Sequence, residues 1–114
     1  MSATKESPRI TTLNANYPGG AGGTRVDYAK YVSMARAILR ALPRVGPGVP
    51  FAELAARVRP TLPRALWARA SVPWYVTTVK LDLEARGMVA RVGRAPQRLV
   101  RQVSLRASLP RPSA

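Results

Sequence analysis

The sequence contains no cysteine and no histidine among its 114 residues. Without cysteine, the chain has no disulfide framework, thiolate metal site or thiol nucleophile. Without histidine, it lacks the commonest general base and the commonest metal ligand. Asp82 and Glu84 lie two positions apart on a predicted helix, so they point in different directions and form no carboxylate pair; Glu84 is better placed to pair with Lys80. We therefore expect a protein that is not an enzyme and that uses no cofactor or metal.

Acidic residues are also scarce, since five aspartates and glutamates face 19 lysines and arginines and leave a formal net charge of +14. Only Lys5, Lys30 and Lys80 are lysines, so arginine provides almost all of the positive charge. This excess favours a polyanionic partner, and nucleic acid is the most abundant polyanion of a cytoplasm. The arginine bias fits bidentate recognition, although a GC-rich genome produces the same bias.

Long apolar runs are missing as well. No stretch approaches the ~18 apolar residues of a membrane span, and Lys5, Glu6 and Arg9 interrupt the region where a signal peptide would need an apolar run. We therefore expect a cytoplasmic, nucleoid-associated protein without membrane contact. The length of 114 residues and the hydrophobic content of 46% favour one small folded domain.

Composition divides the chain into three parts. Residues 1–23 end in a glycine-rich run from Gly19 to Gly23 and offer almost nothing to bury, which predicts a flexible N-terminal tail. Residues 104–114, with Pro110 and Pro112, predict a flexible C-terminal tail. The domain between them, residues 24–103, holds most of the positive charge, so a basic surface is expected rather than a basic arm.

Apolar periodicity predicts the first helix over about residues 25–42, where apolar side chains repeat at helical spacing. The members of this stripe are Tyr28, Tyr31, Val32, Ala35, Ile38, Leu39 and Leu42. Thr24 and Asp27 fit a capping box at its start, and Pro43 ends the pattern.

The rest of the domain is predicted as helices followed by a hairpin. A very short strand at residues 49–50 precedes a helix over 51–59, and a short helix lies within 60–69. The fourth helix covers residues 72–86, with Ser71 as N-cap and Gly87 as a left-handed stop. Residues 88–92 and 97–103 are β-prone runs around a turn at 93–96. The predicted fold class is mainly α with a small β-hairpin.

The last third of the domain resembles a winged helix-turn-helix. The run from Leu83 to Val92, including Leu83-Glu84-Ala85-Arg86-Gly87-Met88-Val89, is similar to the stretch that closes the recognition helix and starts the wing in MarR- and PadR-type regulators. The run from Trp74 to Asp82 also resembles small uncharacterised bacterial winged-helix proteins. The resemblance implies three to four helices plus a wing, and a double-stranded DNA-binding protein such as a transcriptional regulator.

This resemblance implies a set of DNA-contacting residues. Thr77, Thr78 and Lys80 would face the major groove, with Trp74 on the same side of the fourth helix. Arg91, Arg94 and Arg98 would hold phosphates or a minor groove from the wing. Two further arginines, Arg64 and Arg69, precede the recognition helix and complete the predicted set.

Other interpretations remain open at this point. Trp74 and Leu81 make the outer face of the fourth helix unusually apolar, so they could pack against Leu66 and Trp67. Alternatively, they form an exposed patch for a homodimer or another protein partner. RNA binding is a weaker alternative, because no pair of exposed aromatic residues is expected on a sheet.

Overall fold

The computed structural model of the chain describes residues 7–113, which form a mixed α/β fold of four α-helices and two small antiparallel sheets. The helices are α1 (Tyr28–Ala41), α2 (Phe51–Val58), α3 (Arg64–Trp67) and α4 (Val72–Ala85). The strands are β1 (Arg9–Thr11), β2 (Arg25–Asp27), β3 (Val49–Pro50), β4 (Val89–Val92) and β5 (Arg98–Arg101). Single 3₁₀ turns lie at Pro18–Gly20 and Arg59–Thr61.

The core is built around α1, whose predicted apolar stripe is largely buried. Tyr31, Ala35, Ile38, Leu39 and Leu42 are buried, whereas Tyr28 and Val32 are half-buried. α1 packs against α2 and α4, and the buried stripe of α4 comprises Val72, Val76, Val79 and Leu83 as predicted. The periodicity of both long helices therefore identified the core faces.

The predicted capping box at the start of α1 is wrong. Asp27 is itself the N-cap, and its Oδ2 accepts the backbone N–H of Lys30 at 3.0 Å. Residues 25–27 are extended because they pair with β1, with Val26 opposite Ile10. At the other end, Leu42 is extended because it precedes Pro43, which disfavours helical backbone in the residue before it.

Both predicted ends of α4 are confirmed. Ser71 Oγ accepts the backbone N–H of Trp74 at 3.2 Å. Gly87 has a left-handed φ of 76°, and its N–H donates to the carbonyl of Glu84 at 3.1 Å. The N–H of Met88 donates to the carbonyl of Leu83 at 2.9 Å, which completes a Schellman motif. This motif turns the chain directly from α4 into β4.

The predicted hairpin is confirmed as β4 and β5, and it belongs to a three-stranded sheet in the order β3-β5-β4. Val49 of β3 lies opposite Leu99 of β5. Gly48 precedes β3 at a φ of 79°, and a Cβ there would lie 2.7 Å from the carbonyl oxygen of Leu99. Only glycine therefore fits where this turn meets β5.

The expectation of a tail over residues 1–23 needs correction from residue 9 onward, while residues 1–6 lie outside the described part of the chain. β1 pairs antiparallel with β2, and Ile10 and Thr12 are buried. The N–H and the hydroxyl of Thr12 donate to the carbonyl of Thr24 at 2.8 and 3.1 Å, and the N–H of Thr24 donates to the Thr12 hydroxyl oxygen at 3.0 Å. Residues 9–11 and residues 25–27 each have one apolar side chain between two polar ones. Each triplet is too short to indicate a strand alone, and the two form strands because they pair with each other.

The C-terminal segment, residues 104–113, also differs from the predicted flexible tail, and Ala114 is outside the described residues. The Tyr28 hydroxyl donates to the carbonyl of Pro110 at 2.6 Å, and Arg36 donates to two carbonyls of the segment. The N–H of Ser113 donates to the carbonyl of Arg9 at 2.8 Å. The segment thus runs from the second sheet along α1 to β1. Within residues 7–113, no helix combines the length and apolar character that a bilayer crossing requires.

Candidate nucleic-acid interface

The outer face of α4 is open at its N-terminal half and partly covered further along. Trp74 is 47% exposed and Thr77 is exposed, while Thr78 and Leu81 are partly buried. The Thr77 hydroxyl donates to the carbonyl of Pro73 at 3.2 Å, which leaves its oxygen able to accept. Trp74 and Thr77 are therefore the α4 side chains of the predicted set that a large partner can reach.

Lys80 does not face outward, and its predicted place in the major groove is wrong. The residue is 3% exposed, and its Nζ lies 2.8 Å from Glu84 Oε1, 2.8 Å from Gln97 Oε1 and 4.7 Å from the centre of the Phe51 ring. Burial lowers the pKa of Lys80, and the hydrogen bond that Lys80 donates to Glu84 opposes that shift. Lys80 sits at the edge of the buried stripe, where the hairpin and α2 close over it. The predicted pairing of Glu84 with Lys80 is confirmed.

The aromatic side chains at the start of α4 form a row. Trp74 packs edge-on against Tyr75 with ring centroids 5.0 Å apart, and Tyr75 packs edge-on against Trp67 at 4.9 Å. The Trp67 indole N–H donates to Ser33 Oγ at 3.0 Å, which fixes the buried end of the row on α1. The row thus links Trp74 to Trp67 through Tyr75, while Trp74 itself stays exposed to solvent.

The three hairpin arginines differ in how freely they can bind a ligand. Arg91 is exposed, but it pairs with Glu84 and donates to Asn16 Oδ1 at 3.1 Å. Arg98 is half-buried, and it donates to the carbonyl of Gly48 at 3.1 Å, so it fastens the turn before β3. Arg94 is exposed in the hairpin turn, and no partner for it is present among residues 7–113. Arg94 is therefore the hairpin arginine most available to an anion.

Arg64 and Arg69, the arginines predicted ahead of α4, are both exposed. Arg64 lines a groove of about 550 Å³ together with Arg59, which the sequence interpretation missed. The floor of this groove is formed by Leu62, Trp67 and Val72. A run of basic residues with no acid between positions 57 and 69 was the available signal for Arg59.

The acidic side chains between residues 7 and 113 are all engaged in contacts within the protein. Asp27 caps α1, and Glu53 pairs with Arg57 at 3.0 Å. Asp82 is fully buried and accepts from Arg86, Tyr31 and the backbone of Leu13, and Glu84 pairs with Lys80 and Arg91. The exposed arginines of the same region are Arg9, Arg25, Arg40, Arg44, Arg57, Arg59, Arg64, Arg69, Arg91, Arg94, Arg106 and Arg111. The charged surface is thus overwhelmingly cationic.

An N-terminal loop, residues 12–24 between β1 and β2, lies along α4 from Trp74 to Asp82. Thr12, Leu13 and Gly23 of this loop line a cavity of about 210 Å³ with Trp74, Thr78 and Leu81 of α4. The N–H of Leu13 donates to Asp82 Oδ1 at 2.8 Å. Sequence reasoning missed this contact because it classed the loop as a tail.

Comparisons with known proteins name no activity. The model of a family of unknown function (DUF6958) matches residues 9–99, from β1 into β5. No curated protein and no solved structure matches the chain. Among residues 7–113, no group of three or more acidic side chains could hold a metal ion.

Proposed function

We propose that this chain, which belongs to the DUF6958 family of unknown function, binds double-stranded DNA as a winged helix-turn-helix protein. Its role would be that of a small transcriptional regulator or a nucleoid-associated protein. α4 is the proposed recognition helix, and the hairpin of β4 and β5 is the proposed wing. The cytoplasmic, nucleoid location expected from the sequence belongs to the same proposal.

The observation that carries the proposal is the imbalance of surface charge. Each of the four acidic side chains of residues 7–113 is bonded to another group of the protein, whereas arginines are exposed before α4, at Arg64 and Arg69, and after it, at Arg94. DNA neutralises such a surface, and each phosphate contact also releases condensed counterions. Because only four acidic charges oppose the arginines of this region, the surface keeps a strong net attraction for a polyanion.

Topology supports the same function. The order α1, β3, α2, α4 and hairpin, with β3 paired to the second hairpin strand, resembles the order of a winged-helix domain. The short helix α3 is an additional turn between α2 and α4. The Schellman motif at Gly87 fixes the hairpin immediately after α4. The hairpin contacts α4 at Lys80 and Glu84, so a duplex that lies along α4 would also meet the hairpin.

The contact set that follows from side-chain exposure is smaller than the one predicted from the sequence. Trp74 and Thr77 on α4, Arg64 and Arg69 before it, and Arg94 in the wing are exposed. Lys80 and Arg98 instead hold the hairpin to the rest of the fold. Arg91 can join the interface only through the guanidinium edge that Glu84 and Asn16 leave open.

Salt dependence is the first test of the proposal. If about six phosphates are neutralised, the logarithm of the association constant should fall with the logarithm of salt concentration with a slope near −5. Selection from a random duplex library at two salt concentrations measures retention and sequence preference together. An enriched motif indicates a regulator, uniform retention indicates a nucleoid-associated protein, and no retention at low salt rejects the proposal.

Arg94→Ala tests the wing directly. Because Arg94 is proposed to contact phosphate, its loss should weaken binding to all duplexes alike and reduce the salt slope by about 1. Arg106→Ala is the matched control, since Arg106 is equally an exposed arginine but lies in the C-terminal segment. Equal losses for the two variants, measured by fluorescence anisotropy, would assign the binding to overall charge rather than to the wing.

A protein-interaction module is the second candidate, and the exposure of Trp74 is the observation that favours it. A half-exposed tryptophan at a helix start is a common anchor of protein interfaces. Leu81, the other member of the predicted patch, is partly buried beside the N-terminal loop, so the patch is smaller than expected. A mass that rises with concentration in light scattering and falls back in Trp74→Ala, without duplex binding, would favour this candidate or a homodimer.

A further inference from the structure

The N-terminal loop, residues 12–24, occupies the space between α4 and the wing. One side of it lines the cavity beside Thr78 and Leu81. Its apex reaches the first wing strand, where Arg91 Nη2 donates to Asn16 Oδ1 at 3.1 Å. A duplex that approaches the C-terminal half of α4 therefore meets this loop before it meets the helix.

Hydrogen bonds at its base and near its apex hold the loop in a defined conformation. Its base is closed by the paired hydrogen bonds of Thr12 and Thr24, and Thr12 is buried. A Cβ on Gly23 would lie 1.7 Å from the carbonyl oxygen of Thr12, so the two loop ends are in close backbone contact. At the apex, the N–H of Asn14 donates to the carbonyl of Gly20 at 2.8 Å.

Displacing the loop would also remove a hydrogen bond from a fully buried carboxylate. Asp82 Oδ1 accepts the N–H of Leu13, and Asp82 has no contact with water. A buried charge that loses a hydrogen-bond donor is costly. The loop therefore stays in place when a ligand binds, and its outer side chains become part of any interface formed there.

The exposed chemistry of the loop suits a duplex. Residues 12–24 contain no acidic side chain that would repel phosphate. Tyr17 is 56% exposed, and its hydroxyl can donate to a phosphate. Asn16 is exposed, and its Oδ1 is engaged by Arg91, which leaves its amide NH₂ directed to solvent as a donor. Both side chains can therefore donate to the edges of bases or to the DNA backbone.

We propose that the apex of the N-terminal loop, through Asn16 and Tyr17, is a third DNA-contacting element placed between the recognition helix and the wing. This inference rests on the proposed function. In this arrangement the C-terminal half of α4 supports the loop, and the loop takes the place of that half of the helix at the DNA surface. Residues that the composition assigns to a tail then help to set affinity and sequence preference.

Asn16→Asp is the sharpest test of this element. Aspartate keeps the oxygen that Arg91 binds, while it removes the amide donor and adds a negative charge at the interface. Duplex affinity should fall at least about tenfold, the discrimination expected when a specific side-chain contact is lost. Val45→Asp adds the same charge at an exposed turn before β3, the strand at the opposite edge of the sheet from β4, and should cost much less.

A photo-crosslinking residue, p-benzoylphenylalanine, in place of Tyr17 gives an independent test. It should crosslink to duplex DNA in the full chain, whereas the same residue in place of Val45 should not. Equal crosslinking from both positions, or equal affinity losses in the two aspartate variants, would overturn the role of the loop. Wild-type protein that retains no duplex at low salt would overturn the role of the loop and the proposed function together, so the two failures are distinguishable.

Discussion

Asp82 and Glu84 lie two residues apart on α4, yet they join that helix to different parts of the molecule. Asp82 is fully buried and binds Arg86 at 3.0 Å, the hydroxyl of Tyr31 on α1 and the backbone of the N-terminal loop. Glu84 lies nearer the surface, between buried Lys80 and exposed Arg91 of the wing. Asp82 thus joins α4 to the N-terminal loop and to α1, whereas Glu84 joins α4 to the β4–β5 hairpin.

The contrast shows how a chain with so few acids can stay strongly basic outside. Asp82 and Glu84 each bind two or more donors, so a single acid fixes several elements. Charge-assisted hydrogen bonds are stronger than neutral ones, which makes this an economical use of scarce residues. We expect the buried Asp82 cluster to control stability and the Glu84 cluster to control the position of the wing.

Asp82→Ala should produce the largest effect. Removing one partner of a buried ion pair leaves the other charge uncompensated, and the cost should be about 3 kcal/mol, at the low end of the usual range because the Arg86 side chain retains some access to water. Urea denaturation measures the change. Glu53→Ala is the control, because it breaks an exposed i,i+4 pair and should cost less than about 0.5 kcal/mol. Equal losses of unfolding free energy in the two variants would show that the Asp82 cluster does not control stability.

Lys80→Met should have an intermediate effect on stability and no direct effect on DNA binding. Glu84 keeps Arg91 as a partner, and methionine can pack on Phe51, so we expect a loss of about 1 to 2 kcal/mol. Because Lys80 is buried, the salt slope of duplex binding should stay at the wild-type value. A salt slope reduced by about 1 would instead indicate that Lys80 contacts a DNA phosphate.

Alkaline pH should produce the smallest effect, and the difference between wild type and Tyr31→Phe reports on the Asp82 cluster. Burial, reinforced by the hydrogen bond to Asp82, raises the pKa of Tyr31 well above its ordinary value of 10.0. Above pH 10 the unfolded chain loses this proton and the folded chain keeps it, so stability falls as pH rises. Between about pH 10.5 and about 11.5 the wild type should lose about 1 kcal/mol more than Tyr31→Phe.

Two further groups, buried Lys80 and half-buried Tyr75, titrate in the same range. Burial lowers the pKa of Lys80, which raises stability with pH, and burial raises the pKa of Tyr75, which lowers stability with pH. Wild type and Tyr31→Phe both contain these groups, so their contributions cancel from the difference. Tyr17→Phe changes an exposed tyrosine and should follow the wild-type curve. A Tyr31→Phe curve parallel to wild type would remove Tyr31 as the cause.

Much of the fold follows from local sequence signals. The stripes of α1 and α4, the N-cap at Ser71, the stop at Gly87 and the turn between β4 and β5 each depend on neighbouring residues, and the structure bears them out. The predicted start of α1 is wrong because Asp27 fits both the third helical position of a capping box that begins at Thr24 and the N-cap itself. Only its pairing partner, residues 9–11, makes residues 25–27 a strand.

The candidate site was harder to predict, because its make-up depends on contacts between distant residues. A helical projection puts Lys80 at the margin of α4, but Gln97 and Phe51, far away in the chain, decide that it is buried. The N-terminal loop shows only glycines and small polar residues, and its position depends on Leu13 meeting Asp82, 69 residues away. Neither contact leaves a local pattern.

The bond between Ser113 and Arg9 brings the two ends of the described chain side by side on one strand edge. A short peptide could therefore join residue 113 to residue 8, and the chain could be reopened in the exposed Val45–Gly46 turn to give a circular permutant. Such a rearrangement would leave β1, the loop and the wing in place while changing the order of their synthesis. It would show how far assembly of the proposed DNA-binding surface depends on which part of the chain is synthesised first.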